Sequence, residues 1–143
     1  MYKKIFLDAN ILIDIFDEKR VTYHDSLLIY EECLKRDIEI CTSCDVLINI
    51  YYINSKYLSK DVALKSIEVL STTLNILPFD AKVAIQATKL MKQNQNYKDF
   101  EDTLQYILAK NSSCDAIVSN DKNFFSQEVP LYTSKEFVKR FLS

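Results

Sequence analysis

The chain contains no glycine and no tryptophan, one histidine and two prolines in 143 residues. Without glycine, neither a P-loop nor a Gly-rich dinucleotide turn can form, because both need a residue lacking Cβ where backbone meets phosphate. Nucleotide cofactors are therefore not expected. Turns and helix ends must use short polar side chains instead, and Asn54, Asn75, Asn94, Asn96, Asn111, Asn120 and Asn123 are the candidates for left-handed or capping positions. The single histidine, His24, lies in a helical stretch with no cysteine or histidine at ligand spacing. It is expected at the surface, and a histidine triad or a His-rich zinc site would have to rest on this one residue. No apolar run approaches ~18 residues, and the N-terminus carries no apolar segment with a cleavage site, so neither a membrane span nor a secretory signal is expected. The expected location is the cytoplasm.

What is present is ordinary for a globular protein: 48% apolar and 27% charged residues. The length fits one domain over 1–143, and a chain of this size buries roughly two-thirds of the surface its unfolded state exposes. A net charge of −2 gives no global signal for nucleic acid. The stretch from Ala81 to Lys98 is locally basic, with Lys82, Lys89, Lys92 and Lys98 and no acid. Such a strip is either the solvated face of an amphipathic helix or a set of phosphate contacts.

The first ten residues organise the rest. Ile5-Phe6-Leu7 reads as a buried strand that stops at Asp8, and Asn10 is placed to cap a helix through Ile11-Leu12-Ile13 toward Phe16. Asp8 is then either a cap or turn residue, or an acid at the carboxyl end of a parallel strand, where ligands of open α/β sheets sit. Thr22 to Asp37 has helical spacing, Ile38 to Cys41 is a second strand, and Thr42 or Ser43 caps a helix toward Lys56. Ser59 to Thr72 is a capped helix, Leu74 to Phe79 a third strand, and Asp80 caps a helix from Ala81 to about Gln93. A helix from Asp99 to Lys110 leads into a fourth strand, Ala116-Ile117-Val118, ending at Ser119-Asn120-Asp121. A short helical turn around Phe124 and Phe125, an edge strand Val129 to Tyr132 and a closing helix Ser134 to Phe141 complete the chain. Strands alternating with helices imply right-handed βαβ units, hence a three-layer α/β/α sandwich on a parallel sheet of four to five strands.

On this scheme Asp8 ends the first strand, Asp121 follows the fourth, and Asp99 with Asp102 opens the helix between, so chain-distant acids converge on one sheet edge. Two carboxylates ~4 Å apart repel by about 4 kcal/mol at an effective dielectric near 20, and such a cluster calls for protons or a cation. Oxygen-only ligands select a hard ion, Mg²⁺ or Mn²⁺.

Three blocks carry a resemblance: Phe6-Leu7-Asp8-Ala9-Asn10-Ile11-Leu12-Ile13-Asp14, Asp99-Phe100-Glu101-Asp102-Thr103-Leu104-Gln105, and Ile117-Val118-Ser119-Asn120-Asp121-Lys122-Asn123-Phe124-Phe125. In this order and spacing they resemble the sequence blocks of PIN domains, metal-dependent ribonucleases that include the toxins of VapBC-type toxin–antitoxin pairs. The resemblance implies that Asp8, Asp102 and Asp121 are catalytic and bind metal, with Asp99 as an additional acid and Asn10 and Ser119 as supporting polar residues. It implies an RNA substrate, a small antitoxin as partner and a possible homodimer. One position departs from the pattern: Asn49 stands where the family usually has a glutamate, which keeps an oxygen but removes a charge. Asp45, four residues earlier, is either a partial replacement or a partner of the helix dipole. The implied chemistry is in-line hydrolysis of an RNA phosphodiester, with Lys82, Lys89 or Lys92 on the RNA backbone. Two other readings stand beside it. One is a PIN-like scaffold that binds RNA or protein without cutting. The other is a thiol-disulfide oxidoreductase using Cys41 and Cys44, a C-x-x-C at a strand-to-helix junction.

Overall fold

The computed structural model describes residues 2–142. Five strands form one sheet: β1 (Lys4–Leu7), β2 (Glu39–Ser43), β3 (Asn75–Leu77), β4 (Ala116–Val118) and β5 (Leu131–Tyr132). Their order is β3-β2-β1-β4-β5 and every pairing is parallel. The helices are α1 (Ala9–Asp14), α2 (Tyr23–Lys35), α3 (Val46–Tyr57), α4 (Lys60–Thr73), α5 (Ala81–Gln93), α6 (Phe100–Asn111) and α7 (Ser134–Phe137), the last running into a wider turn over Val138–Leu142.

Strand side chains alternate between faces, and this alternation builds two cores. Ile5, Leu7, Ile40, Ala116 and Val118 pack with residues of α1, α2, α3, α4 and α7 on one face. Phe6, Cys41 and Ile117 pack with residues of α5 and α6 on the other. All these strand residues are buried, which is why their sequence runs are continuously apolar rather than alternating. On the outer side of α3 and α4, Ile48, Tyr51 and Leu64 remain exposed around an apolar groove.

The order of the strands places the site. From β1 the chain moves outward through β2 to β3, then returns to the other side of β1 for β4 and β5. The direction of winding reverses between β1 and β4, and the two helical layers part at the carboxyl ends of these strands to leave a crevice.

Local differences from the sequence expectations have physical causes. Asp8, not Asn10, caps α1: its carboxylate accepts from the Ala9 N–H at 2.7 Å. Likewise α3 starts after Asp45, because Thr42 and Ser43 lie within β2, with the Thr42 hydroxyl donating to the Leu7 carbonyl at 2.8 Å. Among the described residues the positive-φ positions are Asp37 and Ser113, so none of the named asparagines is left-handed. Of those asparagines Asn94 closes a helix, at the end of α5, whereas Asn54 is buried inside α3 and donates to Ser66. Phe124 sits in a turn closed by its N–H to the Asp121 carbonyl rather than in a helical turn. The caps at Ser59 and Asp80 stand where the sequence places them, and Asp99, expected as the first residue of its helix, caps α6 instead; each of the three side chains accepts from a backbone N–H three residues on. His24 is exposed.

Candidate active site

Asp8 and Ser119 extend their strands by one hydrogen bond each: the Asp8 N–H donates to the Val118 carbonyl, and the Ser119 N–H to the Tyr132 carbonyl. Continuing the alternation, both side chains fall on the Phe6 and Ile117 side of the sheet, the side covered by α6. There they meet. The Ser119 hydroxyl donates to Asp8 Oδ2 at 2.7 Å, and the Asn10 amide donates to the same oxygen at 3.1 Å. Asn10 Oδ1 accepts from the Asn120 N–H at 3.1 Å, and Ser119 Oγ accepts from the Asp121 N–H at 3.1 Å. Asn120 in turn holds Ser134 at the start of α7. Asp8 is 4% exposed within this knot. Burial drives its pKa upward, against the bonds from Ser119 and Ala9, and the Asp121 charge adds to the rise.

Helix α6 supplies the opposite wall. Asp99 is its cap, accepting from the Asp102 N–H at 2.9 Å, and Glu101 and Asp102 follow in the first turn, where the helix dipole favours negative charge. That favour is outweighed. Asp102 is half-buried, and desolvation together with the charges of Asp8, Asp99, Asp121 and Glu101 pushes its pKa from 3.8 to about 7. Glu101 is also raised, by burial and by Asp45, Asp8 and Asp99, although Asn49 donates to its Oε1 at 2.9 Å.

These residues line one cleft of about 290 Å³: Asp8, Asn10, Asn49, Glu101, Asp102 and Asp121, with Arg20 beside them. Asp99 and Asp45 do not line it. Asp99 turns to its own helix, and Asp45 accepts from the Ser43 hydroxyl at the start of α3, so both act on the cleft through charge alone. Lys82, Lys89 and Lys92 are exposed on α5, outside the cleft; Lys89 borders a groove with Gln86, Tyr106 and Lys110.

Two cleft residues, Glu101 and Arg20, and a buried residue behind the cleft, Gln105, escaped the reading of the sequence. Glu101 and Gln105 are four apart on α6 and share a face with Asp102, a signal present in the spacing. Gln105 is fully buried and lies close enough to Asp8 to favour its charge, yet neither of its side-chain atoms completes a hydrogen bond. Arg20 had no such signal. Its Nε donates to the buried Asp14 at 2.6 Å, and Thr22 and Ser26 donate to the other oxygen at 2.5 and 2.6 Å.

The donor set suits a hard divalent cation: only oxygens converge, their charges repel, and a buried amide behind them lacks a full partner. Among the described residues no three His, Cys, Asp or Glu groups form a ready-made ion cage, so the acids line an open cleft. The cysteines are arranged differently from a redox pair. Cys41 points into the α6-side core, donates to Glu39 and lies against Cys114, while Cys44 is only partly buried; contact with Cys114 and burial push the Cys41 thiol pKa upward, against the thiolate that exchange at Cys41 would require.

A doubly wound parallel sheet with acids gathered at its β1/β4 crevice places the chain in the class of three-layer α/β/α proteins. The sequence matches the PIN domain family over residues 5–128, and the chain belongs to that family. It is 40% identical over 139 residues to the ribonuclease VapC1 of Aquifex aeolicus, covering 97% of this chain and 96% of that one. The fold is similar to VapC20 of Mycobacterium tuberculosis, a toxin that cleaves the sarcin-ricin loop, with TM-score 0.69 and 15% identity over 84% of this chain and 92% of that one. It is also similar to a chain of VapBC2 of Rickettsia felis, solved bound to a promoter DNA fragment, with TM-score 0.67 and 22% identity over 90% and 96% of the two chains.

Proposed function

We propose that residues 1–143 form a single PIN domain that acts as a metal-dependent ribonuclease, the toxin of a type II toxin–antitoxin pair. The observation that carries this reading is the cleft itself, in which Asp8, Asp102 and Asp121 come together from β1, α6 and the end of β4. Identity to a ribonuclease along nearly the whole chain supports it.

In this reading Asp8, Asp102 and Asp121 hold Mg²⁺ or Mn²⁺, which supplies Lewis-acid polarisation of the phosphodiester and neutralises charge on the leaving oxygen. Asp8 is fixed in place by Ser119 and Asn10, so its orientation is set before any ligand arrives. Burial, and after it the neighbouring acids, raise the Asp102 pKa to about 7, so Asp102 would exchange a proton for a bound cation near neutral pH. Arg20 also lines the cleft; with Nε anchored on Asp14, its remaining N–H groups are left to take a backbone phosphate and counter the repulsion between RNA and the acids. Lys82, Lys89 and Lys92 share one face of α5 and serve the flanking RNA backbone. The partners are RNA and an antitoxin protein, and the site of action is the cytoplasm. No described helix is long and apolar enough to cross a membrane.

The open arrangement of the acids, together with an amide at Asn49, favours a second reading, a scaffold that binds without cutting. Calorimetric titration of Mn²⁺ and Mg²⁺ into the wild type and Asp102→Asn, with RNA cleavage scored in the same buffers, separates the two. Binding and cleavage that both vanish in the variant support the nuclease. No binding to the folded wild type at millimolar metal overturns it in favour of the scaffold.

A further inference from the structure

Glu101 has a placement that helix geometry alone does not explain. A carboxylate in the first turn of α6 gains from the helix dipole while fully exposed. Glu101 instead is half-buried in the cleft wall, among the charges of Asp8, Asp45 and Asp99. Among the described residues no lysine or arginine pairs with it, and its hydrogen-bond donor is a neutral amide, Asn49 Nδ2, reaching across from α3 to Oε1 at 2.9 Å. Such burial without a paired cation is unfavourable unless a proton or a charge from outside the chain relieves it, and Arg20 on the cleft wall is held through its Nε by Asp14. The single amide bond pins one oxygen and, among the described residues, leaves Oε2 without a protein partner in a cleft that Asp8, Asp102 and Asp121 share.

Resting on the metal-dependent nuclease reading above, we propose that Glu101 is a further carboxylate ligand for the divalent cation of this cleft, and that Asn49 is its positioning residue. The acid that the α3 wall lacks is thus carried on α6 and tied back to α3 through Asn49. Asn49 acts through Glu101: by occupying Oε1 it limits the rotamers of a long side chain, so that less freedom is lost when a cation is bound.

The test exchanges the two groups across the cleft. Mn²⁺ is titrated calorimetrically into wild type, Glu101→Gln, Asn49→Ala and the double variant Asn49→Glu with Glu101→Gln, with thermal unfolding in metal-free buffer as the folding control. Glu101→Gln is expected to weaken Mn²⁺ binding at least about tenfold, and Asn49→Ala by a smaller factor because the carboxylate survives unanchored. The double variant returns the charge count and reverses the hydrogen bond, with the glutamine amide now donating to Glu at position 49, and it is expected to bind Mn²⁺ close to wild type. Unchanged binding in folded Glu101→Gln, or a double variant that binds as poorly as Glu101→Gln, overturns the inference. Asn49→Ala gives an independent check, since unchanged binding there removes its positioning role. If Asp102→Asn abolishes binding while Glu101→Gln retains it, the inference falls and the nuclease reading stands; a wild type that takes no Mn²⁺ overturns both.

Discussion

Asp8 and Asp14 sit at the two ends of α1, both nearly inaccessible to water at 4% and 1% exposure, and they are treated in opposite ways by the chain. Asp14 is surrounded by donors: Arg20, Thr22 and Ser26 direct an N–H and two hydroxyls at its two oxygens. Asp8 also has donors, from Ala9, Asn10 and Ser119, but it faces other carboxylates across a cleft. The first arrangement is complete within the protein. The second is left with an excess of negative charge, and this separates a carboxylate whose bonding is complete within the fold from one that, in the proposed reading, meets a cation.

The largest expected effect comes from breaking the complete arrangement. Asp14→Ala strands the donors of Thr22 and Ser26 and releases Arg20, so unfolding by urea is expected to show a loss of about 3 kcal/mol with an unchanged m-value. A loss below about 1 kcal/mol would mean that water replaces the carboxylate readily there. Adding cation tests the incomplete arrangement: Mn²⁺ at about 100 times its Kd stabilises by about 2.7 kcal/mol, read as a raised Tm. Ser26→Ala should keep this increment and Asp102→Asn should lose it. An equal increment in both variants would place the ion outside the cleft.

Removal of charge without metal gives a smaller effect of the opposite sign from Asp14→Ala. The folded pKa of Asp102, about 7, lies above its ordinary 3.8, so the folded protein binds a proton that the unfolded chain has released. The resulting penalty is absent well below pH 3.8, grows as pH rises toward 7 and is constant above. Asp102→Asn is therefore expected to gain about 1 kcal/mol at pH 8, allowing for solvent screening of a half-buried group, and nothing at pH 3. Stability curves for the two proteins that stay parallel from pH 3 to pH 8 would contradict this account. The smallest effect is expected at the exposed strip on α5, where Lys89→Ala should leave stability unchanged and reduce the salt dependence of RNA binding by about one phosphate contact.

Much of this contrast was legible in the sequence, for reasons that particular residues make plain. Ala116-Ile117-Val118 was readable as a buried strand because parallel strands covered on both faces are apolar throughout. Asp8, ending such a run, was readable as a cap or as a site acid, and the structure gives it the cap of α1 and a place in the cleft at once. The partners of Asp14 were hidden because Arg20, Thr22 and Ser26 meet it through a turn whose course no periodicity specifies. Glu101 was hidden by its neighbour: beside Asp102 it reads as another first-turn acid, and only the approach of α3 reveals the bond from Asn49. Asp37 and Ser113 took the left-handed turns because these fall where α2 and α6 end before the next strand, whatever short polar residue stands there.

The double duty of Asp8 bears on how this protein can change over generations. A residue that opens a helix, anchors Ser119 and Asn10 and faces the cleft cannot be replaced without damage to the folded chain as well as to its chemistry. Glu101 and Asp102 cap no helix and bond no strand end, and neutralising Asp102 is expected to make the chain more stable above pH 7. Drift toward an inert descendant would accordingly begin on α6, leaving Asp8 in place as the trace of a vanished activity.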